Sequence, residues 1–230
     1  MTSVLERAAN AAIAIAALAL VWIFVRRELH SANRRDDGGS PVAASFYENW
    51  KALDSASVPL DSSEGKIRVY VFSDLECPFC AVFHSQIVPA LYSRYSNSVS
   101  VRFVHFPLRG HKFSRQAAAA LECAADQRRA SEFLDAAYGK QDSIGLIPWS
   151  RFASVAGVPD STKFGKCIQA LPNARIERGL SLGVRFEVMS TPTVIVNGWR
   201  FTGVSDSSSF IAAMDSIKAG GTPVFSASGR

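Results

Sequence analysis

Val69-Tyr70-Val71-Phe72-Ser73-Asp74-Leu75-Glu76-Cys77-Pro78-Phe79-Cys80 is a β-branched and aromatic run that stops at an acidic turn and delivers two cysteines separated by two residues. Ile67 to Phe72 predicts a buried strand, and the residues after Cys80 have helical spacing, so the pair falls at a strand-to-helix junction. Cys77 then sits at the helix tip, where free backbone N–H groups and the positive end of the helix dipole favour a thiolate. Pro78 suits a first helical turn, because its missing N–H has no partner to lose there. Cys80 shares a face with Phe83, Ile87 and Leu91 and is expected to turn inward, while Cys77 is expected to stay exposed. That asymmetry makes Cys77 the nucleophile and Cys80 the resolving thiol of a redox centre. Half a zinc site, an inert disulfide and two core thiols are the competing readings, although Cys123 and Cys167 form no second close pair of ligands.

With 230 residues, 48% of them hydrophobic and 20% charged, the chain is of globular composition and can bury one good core. The net charge of +5 is modest and no basic stretch is interleaved with aromatics, which leaves nucleic-acid binding without support. No internal repeat is visible. Ala8 to Val25 carries no charge, and as a helix it would span roughly 27 Å, close to a bilayer's hydrocarbon thickness. Arg26, Arg27 and Glu28 follow it in place of a small-residue cleavage site, so residues 1–30 read as an uncleaved membrane anchor, ahead of a cleaved signal or a buried globular helix. Arg26, Arg27, Arg34 and Arg35 lie after the span, and by the positive-inside rule they would hold the remainder in the cytoplasm.

Residues 31–65 read as a polar tether and a short helix carrying Phe46, Tyr47, Trp50 and Leu53. Pro89 interrupts the helix that bears the cysteines, and Val99 to Phe106 reads as a second strand, ended by Pro107. A helical block follows: Phe113 to Ala125, Ala130 to Tyr138, Trp149 to Val155, a segment capped by Asp160 or Ser161, and Asn173 to Leu182, stopping at Gly183. Pro192 to Val196 and Trp199 to Phe201 form a hairpin about Asn197-Gly198, and a helix over Ser208 to Lys218 closes the domain. The tail, residues 220–230, is expected to be disordered.

Phe72-Ser73-Asp74 before Cys77-Pro78-Phe79-Cys80, the Thr191-Pro192-Thr193 strand, the Asn197-Gly198 hairpin and the helical insertion together resemble the DsbA-like (DsbA/DsbG-type) thiol:disulfide oxidoreductases of the thioredoxin superfamily. The resemblance covers residues 66–219. It implies an α/β thioredoxin fold with a helical domain inserted at about 110–185, here preceded by an N-terminal transmembrane helix. It also implies Pro192 as a cis-proline facing the active disulfide, with the backbone of Thr191 free to pair with a substrate strand. A second disulfide between Cys123 and Cys167 is implied too, against two separate buried thiols. Protein thiols or disulfides would be the substrates, a membrane redox partner would restore the centre, and the domain would lie extracytoplasmically, against the arginine bias.

Asp74 matches the family, and with Glu76 it crowds Cys77 with negative charge that relays protons or opposes thiolate formation. Phe79 stands where Cys-Pro-His-Cys relatives carry a histidine; it offers the thiolate neither a hydrogen bond nor a charge, so Cys77 is expected to be less acidic than theirs. His84 lies one turn past Cys80, and His111 matches a histidine at the domain junction of relatives. No cofactor beyond the cysteines and no resident metal is expected. From other classes come two alternatives: a copper or zinc chaperone using Cys77, Cys80 and His84, and a substrate-binding module without turnover.

Overall fold

The structure, a computed structural model, describes Trp22, residues 42–204 and residues 206–225. The anchor segment Ala8 to Val25, apart from Trp22, and the tether of residues 31–41 lie outside the described residues. Among the described residues no helix is long and apolar enough to cross a membrane.

Eight strands are described: β1 Val42–Ala43, β2 Ser45–Phe46, β3 Ser57–Pro59, β4 Ile67–Ser73, β5 Val99–His105, β6 Thr193–Val196, β7 Trp199–Thr202 and β8 Val224–Phe225. β2 to β7 form a mixed sheet in the order β2-β7-β6-β4-β5-β3. β4 is central, and all of it but Arg68 is buried. It runs parallel to β5, with Ile67 opposite Val99 and Ser73 opposite His105, and antiparallel to β6, with Phe72 opposite Thr193.

Its alternating side chains feed two cores, as period-two geometry requires. Ile67, Val69 and Val71 pack with Phe83, Ile87, Leu91 and Phe210, whereas Tyr70 and Phe72 pack with Leu53, Leu182 and Phe186. The parallel β4–β5 pair needs a crossover. α1 (Pro78–Val82), a π-helical turn (Phe83–Ile87) and α2 (Val88–Tyr95) supply it, so the interruption expected at Pro89 is a π-turn just before it.

Between β5 and β6 stand α3 Ser114–Ala125, α4 Ala130–Gly139, α5 Trp149–Val155, α6 Ser161–Ala170 and α7 Ala174–Arg185. Their own core holds Leu121, Phe133, Leu134, Phe152 and Phe164, together with Leu75 and Phe103 from the sheet side. Cys123 and Cys167 are bonded across it, with Cα atoms 5.7 Å apart and a sequence separation of 44. Asp160 caps α6 by accepting from the Lys163 N–H at 2.8 Å. α8 Ser207–Lys218 begins at a second aspartate cap, Asp206.

Three expectations are corrected, and one strand was missed. α7 does not stop at Gly183: a Cβ there would lie 2.2 Å from the Phe106 ring, so this glycine serves a close approach between helix and loop. Phe46 belongs to β2, paired with β7, and only Glu48–Ala56 behind it is helical, as a 3₁₀ helix. The tail is not wholly disordered, because Val224–Phe225 pairs antiparallel with Val42–Ala43. The short edge strand β3 went unread, since three residues ending in Pro59 carry too little periodicity to register.

The Asn197-Gly198 turn has φ of 46° and 98°, the double positive φ of a tight hairpin. Asn197 also fastens the hairpin to β4, its side-chain oxygen accepting from the Arg68 N–H at 2.8 Å.

The Cys123–Cys167 bond closes a 44-residue separation, for which chain entropy gives ~4 kcal/mol. Replacing both cysteines with alanine is expected to lower unfolding stability by about that amount in urea titration; an unchanged midpoint would show that the bond does not constrain the unfolded chain.

Candidate active site

β4 ends at Ser73, and the turn Asp74 to Glu76 carries the chain into α1. The Cys77 N–H donates to the Asp74 carbonyl at 3.1 Å, while the Cys77 carbonyl accepts from the N–H groups of Cys80 and Ala81. Cys77 is thus the N-cap of α1, with Pro78 in its first turn. Gln141, just past α4, braces the turn by donating to the carbonyls of Leu75 at 2.7 Å and Cys77 at 3.0 Å.

The two sulfurs are unbonded, and both residues are enclosed, Cys77 4% and Cys80 1% exposed. The expectation of an exposed Cys77 is therefore wrong, and the reason lies 114 residues away. The Thr191–Pro192 bond is cis, and its turn comes over the cysteine so that Cys77 Sγ donates to the Thr191 carbonyl at 3.4 Å. Pro78 and Phe79 are the exposed residues of the motif, Phe79 at 69%.

Enclosure affects the two thiols oppositely. The hydrogen bond from the Cys80 thiol, then that from Thr191 and the backbone N–H groups of Cys80 and Phe79, push the Cys77 thiol down to about 6 against the opposing effect of burial. Burial pushes the Cys80 thiol well up, and the neighbouring Cys77 adds to the rise. While Cys77 is a neutral thiol, Thr191 Oγ1 is buried without a hydrogen-bond partner among the described residues, so its lowering effect is exerted on the thiolate. Its hydroxyl is available to donate once the Cys77 sulfur is charged. Phe79 withholds its side chain, yet its N–H still steadies the thiolate.

The carboxylates serve the loop after β5. Asp74, buried, accepts from the Glu76 N–H at 2.8 Å and the Leu108 N–H at 2.7 Å, and pairs with His111 Nδ1 at 2.8 Å. Glu76 accepts from the Phe113 N–H at 2.6 Å. His84 Nε2 lies 2.7 Å from Asp135 Oδ1, and its ring lies against Tyr138. Both the junction and the cis-proline turn are thus assembled here, whereas Cys123 and Cys167 stand apart in the insertion core. No three His, Cys, Asp or Glu side chains among the described residues are grouped to hold a metal ion.

Ser73, Tyr138 and Gln141 escaped the sequence reading. Ser73 lay inside the decisive stretch but was given no role beyond its place in Phe72-Ser73-Asp74, and Tyr138 and Gln141 sit far away in sequence with no motif to mark them. A dithiol with one thiol lowered and one raised can attack a disulfide, and oxidised it can accept a thiolate.

A thioredoxin family model matches residues 61–216. Among solved structures, the fold is similar to oxidised BdbD from Bacillus subtilis, 21% identical, TM-score 0.63, covering 76% of this chain and 96% of that one. It is similar to a thioredoxin-like oxidoreductase from Silicibacter pomeroyi, also 21% identical with TM-score 0.63, covering 75% and 98%. It is also similar to reduced DsbA from Mycobacterium tuberculosis, 23% identical, TM-score 0.56, covering 73% and 94%. In sequence it matches the Na(+)/H(+) antiporter NhaA 1 of Mycolicibacterium gilvum, 29% identical over 156 residues, which are 66% of this chain and 25% of that protein. The chain spans about a quarter of the length of the curated relatives it matches.

The lowered Cys77 thiol gives a pH prediction. Because its value in the folded dithiol lies below the unfolded one, the extra stability of the reduced form is full above the unfolded thiol's pKa and is lost as pH falls through about 6. Alkylation of the reduced protein should titrate with a midpoint near 6, and the midpoint should rise in Cys80→Ala; a Cys77 midpoint in the ordinary thiol range would refute the geometry's account.

Proposed function

The chain belongs to the thioredoxin family, and from that premise we propose that it is a thiol:disulfide oxidoreductase, exchanging disulfides with protein substrates through Cys77-Pro78-Phe79-Cys80. The observation that carries this reading is the unequal pair at a helix N-terminus beneath a cis Thr191–Pro192 turn. Cys77 is the nucleophile and Cys80 the resolving thiol. In the oxidising direction a substrate thiolate attacks the Cys77 sulfur of the disulfide and Cys80 leaves as thiolate; a second substrate thiol then displaces Cys77. In the reducing direction Cys77 attacks the substrate disulfide and Cys80 closes the ring, expelling the substrate thiolate.

Thr191 offers the incoming chain backbone at the edge of the site, and Phe79 offers it an exposed ring. Asp74 and Glu76 shape the turn through their bonds to the 108–113 loop. The chaperone alternative is weakened by His84, whose outer nitrogen is committed to Asp135.

Cys80→Ala should accumulate mixed disulfides through Cys77, detected by non-reducing electrophoresis and mass spectrometry. Adducts through Cys80 in Cys77→Ala, with none in the reverse variant, would overturn the assignment, and a binding module without turnover would give none in either.

We further propose that the domain works outside the cytoplasm, held by the apolar segment Ala8 to Val25, with a membrane redox partner restoring it. The Cys123–Cys167 bond supports an oxidising compartment, whereas the arginines after the apolar segment oppose it. A membrane-impermeant thiol reagent should label reduced Cys77 in intact cells or spheroplasts; protection until lysis would place the domain in the cytoplasm.

A further inference from the structure

Cys80 carries the harder electrostatic task. It is the more enclosed sulfur, and in either direction of exchange it must bear negative charge, as attacking thiolate or as leaving group. Two hydroxyls bear on it electrostatically, those of Ser73 and Tyr138. Ser73, the last residue of β4 and itself buried, lies with its Oγ 2.9 Å from the hydroxyl of Tyr138, which reaches the junction from α4 of the insertion. The single Tyr138 hydrogen also has the Asp74 carbonyl as an acceptor at 3.4 Å, the longer of its two contacts.

We propose that Ser73 and Tyr138 are positioning residues for Cys80: the phenol donates to Ser73 Oγ, and this turns the serine hydroxyl to donate to the Cys80 sulfur when that sulfur is charged. The proposal rests on the reading of the centre as a site of thiol–disulfide exchange.

The surroundings fit this direction of donation. Burial and the charge of Cys80 hold the Tyr138 phenol well above its ordinary value, so it stays protonated and keeps a hydrogen to give. The Ser73 hydroxyl and the Asp74 backbone are the groups that oppose the rise of the Cys80 thiol. The titratable and charged groups around the relay are Cys77 from the start of α1, Asp74 from the turn, and His84 with Asp135 behind the Tyr138 ring. None of these replaces the serine hydroxyl, because the Asp74 carboxylate is taken by Glu76, Leu108 and His111. A hydrogen bond to a charged atom is among the strong ones, so its loss should be measurable.

The test separates the two thiols in time. The full-length reduced protein is mixed with dithiobis(nitrobenzoate). The Cys77 thiolate attacks one reagent sulfur, the reagent S–S bond breaks and one nitrothiobenzoate leaves. Cys80 then gives its proton to solvent and attacks the Cys77 sulfur, the mixed disulfide breaks and a second nitrothiobenzoate leaves. Two electrons pass from the dithiol to the reagent.

Ser73→Ala and Tyr138→Phe are expected to slow the second release about tenfold and to move its pH profile upward, leaving the first release as fast as in the parent. Ser73→Thr, which keeps the hydroxyl, should restore the second release. A second release with the parent's rate and pH profile in both variants would overturn the proposal. A parent protein that never makes the second release would overturn the exchange reading itself, and the proposal with it.

Discussion

A carboxylate taken out of water survives only if donors replace the water, and Asp74 meets that demand with two backbone N–H groups and an imidazole. The donors come from both sides of the junction. Glu76 lies in the turn itself, and Leu108 and His111 lie in the loop that leaves β5. Asp74 therefore locks the end of β4 to the segment entering the insertion, and its carbonyl holds the Cys77 N–H at the tip of α1. The position of the Cys77 sulfur depends on that buried pairing. Glu76 repeats the device at the rim by accepting from Phe113.

The sheet and the insertion contribute different things to the centre. β4 and β6 bring the cysteine turn and the cis Thr191–Pro192 turn side by side, because antiparallel pairing of Phe72 with Thr193 leaves the end of one strand beside the start of the other. The insertion closes the far side with Tyr138, which packs on the core around Phe133 and Leu134, and with Gln141, which is held by the carbonyls of Leu75 and Cys77. A bare thioredoxin sheet would leave Cys80 with fewer polar neighbours. The Cys123–Cys167 bond joins α3 to α6 inside this block and so holds the platform from which Tyr138 extends.

Cys77 and Cys80 differ by one helical turn, yet their environments send them in opposite directions. The Cys80 thiol first, and the Thr191 hydroxyl and helix-terminus N–H groups after it, supply Cys77 with donors, and the interior denies Cys80 solvent. A centre of this kind works through a difference between two identical side chains, which the fold creates and composition cannot.

Local pattern was enough to read the strand Ile67 to Phe72, the helix that follows, the Asn197-Gly198 hairpin and most of the inserted helices, because side-chain period and turn chemistry act within a few residues. The same locality made the cysteine pair legible as a centre. The cis-proline and the Cys123–Cys167 pairing entered only by resemblance. Tertiary structure alone decided that Cys77 is covered, that α7 runs past Gly183, that residues 224–225 pair with 42–43, and that Ser73, Tyr138 and Gln141 belong to the site. Each of these depends on contacts between residues far apart in the chain, and spacing along a sequence carries no record of which distant surfaces meet.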